Sequence, residues 1–116
     1  MSDPADDLKI DVATRDSGEV VRVRGEVDLH TSPQLRRLLL ETIEKQPERL
    51  IVDLSSVSYM DSSGVGTMVE SKRLLERTGG RMVLVGLQPR VQSVFEITQL
   101  DRFFEFAADL DEAGRR

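Results

Sequence analysis

The sequence predicts an α/β domain with one small mixed β-sheet and helices mainly on one face of that sheet. Apolar residues at strand spacing alternate along the chain with apolar residues at helical spacing. Strands separated by helices pair in parallel through right-handed crossovers. Two predicted strands at the start of the chain are joined by a short turn, which favours an antiparallel hairpin. The length of 116 residues, with 39% hydrophobic and 32% charged residues, suits one globular domain. The predicted order is β-β-(β)-α-β-α-β-α.

The opening hairpin is predicted from alternating apolar and polar residues. Within residues 8–15, Leu8, Ile10 and Val12 share one face, and within residues 19–24 two valines alternate with two arginines over positions 21–24. Residues 16–18, Asp-Ser-Gly, have the composition of a turn. The segment Gly25–Leu29 follows and is the optional strand of the predicted order.

The first helix is predicted to begin at residues 31–34, Thr-Ser-Pro-Gln. This segment offers a hydroxyl for the cap, a proline for the first turn and a glutamine at the third position. Leucines and an isoleucine then recur at helical spacing until Pro47, which ends the helix.

The second half of the chain continues the alternation of strands and helices. The predicted elements are a buried strand 49–54, a serine-rich loop 55–60, a helix from Asp61 to Gly79, a strand 82–86, a helix from Pro89 and an edge strand 103–106. We therefore expect an acidic, flexible N-terminus over residues 1–7, a domain over 8–107 and a polar C-terminal tail over 108–116.

Composition excludes several classes of function. The chain has no cysteine and a single histidine, His30, so a thiolate site or a histidine-rich metal centre is excluded and no cofactor is expected. The net charge of −5 disfavours direct binding to nucleic acid. The N-terminus lacks the pattern of a secretory signal, and no apolar run has the length of a membrane span. We expect a cytoplasmic protein that is not inserted in a membrane.

The candidate functional residues begin the second predicted helix. Asp61 is followed by Ser62, Ser63 and Gly64, directly after a strand and a loop. A hydroxyl at a helix N-terminus faces unpaired N–H groups, which tolerate a phosphate. The nearby Gly64 and Gly66 lack side-chain bulk, so we expect a partner to approach the backbone there. The same four residues are also common as a plain helix cap, so the local pattern leaves both interpretations open.

Four segments together resemble the STAS family, the domain of sulfate transporters and anti-sigma factor antagonists. They are Gly25–Leu29, Ile51–Ser55, Met60–Gly66 and Val94–Asp101, in the order of the family and within residues 8–107. Gln99 departs from the family, which commonly has glycine there; it lies at a predicted helix end, where it affects local geometry more than function.

The resemblance implies a phosphorylation-controlled switch. Ser62 matches the hydroxyl that a partner kinase phosphorylates, and that kinase is itself the anti-sigma factor. The unphosphorylated protein binds the kinase and so releases a sigma factor. The phosphorylated form cannot bind, and a phosphatase returns it to the unphosphorylated, binding form. Asp28 matches the acidic residue beside the phosphorylation site, while Asp61, Ser63 and Gly64 match the docking surface.

Two other roles compete with the switch. A STAS domain can also act as an accessory or scaffold subunit of a transporter, a lipid-transport complex or a stress-sensing complex, without phosphorylation. An enzyme that uses Ser62 as a nucleophile would need a base, and His30 is the only imidazole. Because no Gly-x-Ser-x-Gly sequence surrounds Ser62, we do not expect an enzyme.

Overall fold

The computed structural model describes residues 7–16 and 18–115. Within these residues, five strands and four helices follow one another. They are β1 (Lys9–Arg15), β2 (Gly18–Val27), α1 (Ser32–Ile43), β3 (Arg49–Met60), α2 (Ser62–Arg77), β4 (Arg81–Val85), α3 (Pro89–Ile97), β5 (Glu105–Ala107) and α4 (Leu110–Gly114). The predicted flexible N-terminus lies outside the described residues except for Asp7, and so does Arg116.

The strands of the described residues form one mixed sheet in the order β1-β2-β3-β4-β5. β1 and β2 are antiparallel, with Val12 opposite Val21, which confirms the predicted hairpin. The pairs β2–β3, β3–β4 and β4–β5 are parallel, as the predicted crossovers require. The carboxyl ends of β2, β3 and β4 therefore lie along the same edge of the sheet.

β3 is twice as long as predicted, since the serine-rich segment 55–60 is a strand and not a loop. The far half of β2 pairs with it, from Arg24 opposite Ser56 to Val27 opposite Met60, with irregular register between them. The segment 25–27 is accordingly the end of β2 and not a separate strand. The serines point outward while Val57 and Met60 are buried.

The larger part of the core lies between the sheet and helices α1, α2 and α3. Alternate strand residues such as Val21 and Val52 pack there, together with buried residues of all three helices. On the opposite face, Val20, Ile51 and Val83 pack beside Ala113 of α4. The prediction of helices mainly on one face is confirmed, but the polar segment 108–116 contains a short helix that the sequence did not indicate.

The unusual Gln99 lies just beyond the C-terminal end of α3. Its φ of 60° is in the left-handed region, which glycine adopts with least strain. The N–H of Leu100 donates to the carbonyl of Phe95 at 2.8 Å, which closes the end of the helix. This conformation explains in physical terms why glycine would suit the position.

Candidate functional site

The candidate site lies where β2 and β3 end, at the N-terminus of α2. The N–H of Asp61 donates to the carbonyl of Val27 at 3.1 Å, which ties the two strand ends together. Asp28 follows Val27 directly, so the two acidic residues that the sequence singled out begin adjacent loops at one edge of the sheet. Ser62 is the first residue of α2.

Asp61 caps α2 and also engages one of the two neighbouring serines. Its Oδ1 accepts from the N–H of Ser63 at 2.9 Å and from the Ser63 hydroxyl at 2.5 Å. The Ser63 side chain is half-buried. Because its hydroxyl proton is directed to Asp61, Ser63 is held close to the helix end.

Ser62 differs from Ser63 in both exposure and hydrogen bonding. Its side chain is exposed, and its hydroxyl makes no hydrogen bond to any other residue in the described part of the chain. It therefore has no hydrogen bond to His30 or to another general base, as a serine nucleophile would need. Chemically, the Ser62 hydroxyl is accessible and able to accept a phosphoryl group, at the positive end of a helix dipole.

Asp28 organises a tight turn before α1. Its Oδ1 accepts from the N–H groups of His30 and Thr31, each at 2.9 Å. The hydrogen bond from the Thr31 N–H is the main cause that lowers the pKa of Asp28; burial opposes it, and the Thr31 hydroxyl and His30 assist it. Thr31, the predicted capping hydroxyl of α1, instead donates to the carbonyl of Glu26 at 2.8 Å. The turn presents Leu29, which has 79% of its surface exposed and for which no role was apparent from the sequence pattern.

Gly64 and Gly66 have different environments, although the sequence suggested a common one. Gly64 is buried, and a Cβ added there would lie 2.7 Å from both Met60 Cγ and Val27 Cγ1. The geometry thus gives Gly64 a packing role beneath the site, in contrast to the surface role expected for it. Gly66 is exposed, and a Cβ there would meet no atom within 4 Å.

A groove that the sequence did not indicate runs along α2 from this site. We call it the α2 groove; it has a volume of about 690 Å³. One wall is a face of α2 and the other is formed by Thr98 and Leu100. The residues of α2 that line it are Ser62, Val65, Gly66, Val69, Glu70, Arg73, Leu74 and Arg77. The spacing of three and four residues from Ser62 to Arg77 was visible in the sequence. The wall formed by Thr98 and Leu100 was not visible in the sequence, because it depends on where the end of α3 packs.

Two absences are limited to the part of the chain that the structure describes. There, no three histidine, cysteine, aspartate or glutamate residues come together to hold a metal ion. In the same residues, no helix has the length and apolar character needed to cross a membrane.

The fold and the site define a small α/β domain with an exposed serine at the N-terminus of a helix. A family model described as the STAS domain matches residues 9–113, and the chain belongs to that family. The anti-sigma-B factor antagonist of Staphylococcus aureus (strain NCTC 8325 / PS 47) is 34% identical over 93 residues, 80% of this chain and 86% of the relative.

Solved structures agree with this assignment. An anti-sigma factor antagonist from Mycobacterium paratuberculosis has a TM-score of 0.87 and 28% identity, covering 99% of this chain and 97% of its own. The anti-sigma factor antagonist SpoIIAA in its unphosphorylated form has a TM-score of 0.76 and 30% identity, with 93% and 94% covered. The phosphorylated form of SpoIIAA, a Bacillus cell fate determinant, has a TM-score of 0.69 and 29% identity, with 93% and 97% covered.

Proposed function

We propose that this protein is an anti-sigma factor antagonist whose switch is the hydroxyl of Ser62. Unphosphorylated, it binds an anti-sigma factor that is also a serine kinase, and so releases a sigma factor; phosphorylated on Ser62, it no longer binds. One observation carries the proposal: of two adjacent serines, Ser62 is exposed with an unengaged hydroxyl while Ser63 is bound to Asp61. The relationship to antagonists and to a phosphorylated SpoIIAA supports it.

The docking surface surrounds the serine. Asp61 and Ser63 lie at the start of α2, and Asp28 and the exposed Leu29 belong to the loop that follows the neighbouring strand end. These two segments are tied by backbone and Asp28 hydrogen bonds, so little conformational entropy is lost when a partner binds them. A phosphate adds about −1.5 to −2 charges and three acceptor oxygens at the centre of this surface. The partner must then desolvate that charge or withdraw.

The remaining parts of the proposal concern the phosphatase, the absence of catalysis and the place of action. An exposed phosphoserine is accessible to a phosphatase, which restores the binding form. Ser62 has no base within hydrogen-bonding distance in the described residues, so we propose a regulatory role without catalysis. Sigma factors act on transcription, so we propose that the protein works in the cytoplasm.

The test combines phosphorylation and binding. The wild-type protein, Ser62→Ala and Ser63→Ala are each incubated with ATP and with each purified anti-sigma factor of the organism that encodes the chain. Intact mass and peptide mapping then locate the phosphate, and biolayer interferometry measures binding before and after. We expect one phosphate on the wild type and on Ser63→Ala, none on Ser62→Ala, and binding by Ser62→Ala that ATP does not reverse.

The matched serine variants make the test specific. A phosphate on Ser63 in the wild-type protein would contradict the assignment of the two hydroxyls. If Ser62 stays unmodified with every anti-sigma factor, and also in protein purified from its own cells under several growth conditions, the switch is refuted and a scaffold role is favoured.

A further inference from the structure

The α2 groove continues away from Ser62 along the whole outer face of α2. Its apolar lining, Val65, Val69, Leu74 and Leu100, is buried or half-buried, while its rim residues are exposed. The 16 residues of α2 give it a length of about 24 Å. We propose that this groove receives an amphipathic α-helix of the anti-sigma factor, aliphatic along one side and acidic where it passes Arg73 and Arg77. This inference rests on the proposed function.

The charges at the far end of the groove select an acidic occupant. Arg73 and Arg77 are exposed and make no ion pair with a carboxylate in the described residues, whereas Arg36 and Lys72 are paired with glutamates. The groove's own carboxylate, Glu70, is bound to Arg36 at 2.6 Å and does not neutralise them. In a chain of net charge −5, this end of α2 is a local positive patch.

Gly66 provides a point of close approach near the head of the groove. Nothing inside the chain requires glycine there, because no atom lies within 4 Å of an added Cβ and its φ is not positive. A glycine inside a helix lowers helix stability relative to alanine. The bare backbone one turn beyond Ser62 lets the backbone of a partner helix come close, as helix-in-groove binding requires.

The shape of the groove favours a helix over a small molecule. Pockets for small ligands bury most of the ligand's surface. Here Ser62, Gly66, Arg73, Arg77 and Thr98 are all exposed, so the groove is open along its length. The aliphatic residues of α2 in the groove, Val65, Val69 and Leu74, are four and five positions apart and form a row along one face of α2, which the apolar side of an amphipathic helix can cover.

The phosphate and the arginines act at separate points of this interface. Arg73 is 11 residues after Ser62, or about 16 Å along the helix. The Debye length at physiological salt is about 8 Å, so a phosphate on Ser62 does not reach the acidic end of the occupant electrostatically. It acts by filling the head of the groove, and the two effects on binding are therefore independent.

The experiment measures binding of the purified anti-sigma factor that phosphorylates Ser62. We expect Gly66→Gln and Arg77→Glu each to raise the Kd about tenfold or more. The matched control Arg37→Glu, an exposed arginine of α1 outside the groove, should change it less than threefold. Ser62→Asp combined with Arg77→Glu should show additive free energies of binding. Thermal unfolding confirms that every variant is folded.

A cross-linking experiment identifies the occupant. The substitution Arg77→Lys keeps the positive charge and introduces an amine. A carbodiimide couples this amine to a carboxylate of the partner that contacts it. We expect a cross-link to an aspartate or glutamate of a partner helix with aliphatic residues at a spacing of three and four, and none from Arg37→Lys.

The outcomes separate the inference from the proposed function. If Ser62→Asp binds more weakly than wild type, but Gly66→Gln and Arg77→Glu bind like Arg37→Glu, the groove proposal is overturned and the switch stands. If native mass spectrometry shows that the groove variants instead lose a small apolar acid, the occupant is a small molecule and the proposal is also overturned. Failure of every anti-sigma factor to bind wild type would overturn both.

Discussion

Replacing Gly64 by alanine tests how the sheet positions the start of α2. The added Cβ would lie 2.7 Å from Met60 Cγ and from Val27 Cγ1, where carbon atoms in contact are normally about 3.5–4.0 Å apart. The flexible side chain of Met60 can change rotamer, but Val27 cannot move away easily because it is β-branched and belongs to the sheet. We therefore expect the beginning of α2 to move away from the sheet.

The size of the effect follows from two opposing contributions. Overpacking of this kind costs about 1–3 kcal/mol, while alanine gains about 1 kcal/mol over glycine inside a helix. Gly66→Ala is the matched control, because it has the same gain but no atom within 4 Å of the new Cβ. The expected result is that Gly64→Ala loses up to about 2 kcal/mol, whereas Gly66→Ala gains about 0.5–1 kcal/mol.

Urea unfolding followed by circular dichroism measures both variants. With m-values of about 1–3 kcal/mol per molar, the difference between the variants corresponds to roughly 1 M in midpoint. Amide exchange gives a local check, because the N–H of Asp61 donates to Val27 and should exchange faster in Gly64→Ala. Equal midpoints for the two alanine variants, or a more stable Gly64→Ala, would refute the packing role of Gly64.

Three further predictions concern individual side chains. Asp61→Ala should lower the free energy of unfolding by about 1 kcal/mol through loss of the cap, and should make Ser63 a second phosphate acceptor, which peptide mapping would detect. Because the folded-state pKa of Asp28 is lowered, its carboxylate stabilises the fold above the unfolded pKa of about 3.9, and that stability is lost as the pH falls through the folded pKa. The stability difference between wild type and Asp28→Asn should hold from pH 7 to 5 and shrink below about pH 4; a difference independent of pH would contradict this. Gln99→Gly should raise the free energy of unfolding by about 0.5–1 kcal/mol, measured by urea titration, and a loss of stability would show that its left-handed φ carries no strain.

Local signals in the sequence were sufficient for much of the fold. Pro33 and Pro89 lie in the first turns of α1 and α3, and alternating residues predicted the hairpin. The strand over residues 55–60 could not be predicted in this way, because its serines form no apolar run. That segment is extended because the end of β2 pairs with it, which is a contact between residues far apart in sequence.

Only part of the candidate site could be predicted, because its other features also depend on contacts between residues far apart in sequence. Asp61 and the cap are local features, and the structure has them where the sequence indicated. Gly64 of α2 faces the core because Val27, at the end of β2, packs against it, and a pattern of glycines in the sequence does not carry that information. Likewise, the α2 groove needs Leu100 as its second wall, and only the folded chain brings that residue to α2.

The energetics at the start of α2 favour a switch that acts on the surface without unfolding the domain. Two unit charges 4 Å apart in water interact with about 1 kcal/mol, so a solvated phosphate of about −1.5 to −2 on the exposed Ser62, beside Asp61, costs about 1.5–2 kcal/mol. The helix dipole returns about 0.3–1 kcal/mol to an anion at its N-terminus. The remaining cost of about 0.5–2 kcal/mol is small against the 5–15 kcal/mol that is typical of a folded domain. Since Asp61 already occupies the N–H of Ser63, the phosphate has no place inside the cap and must point outward, where a partner would meet it.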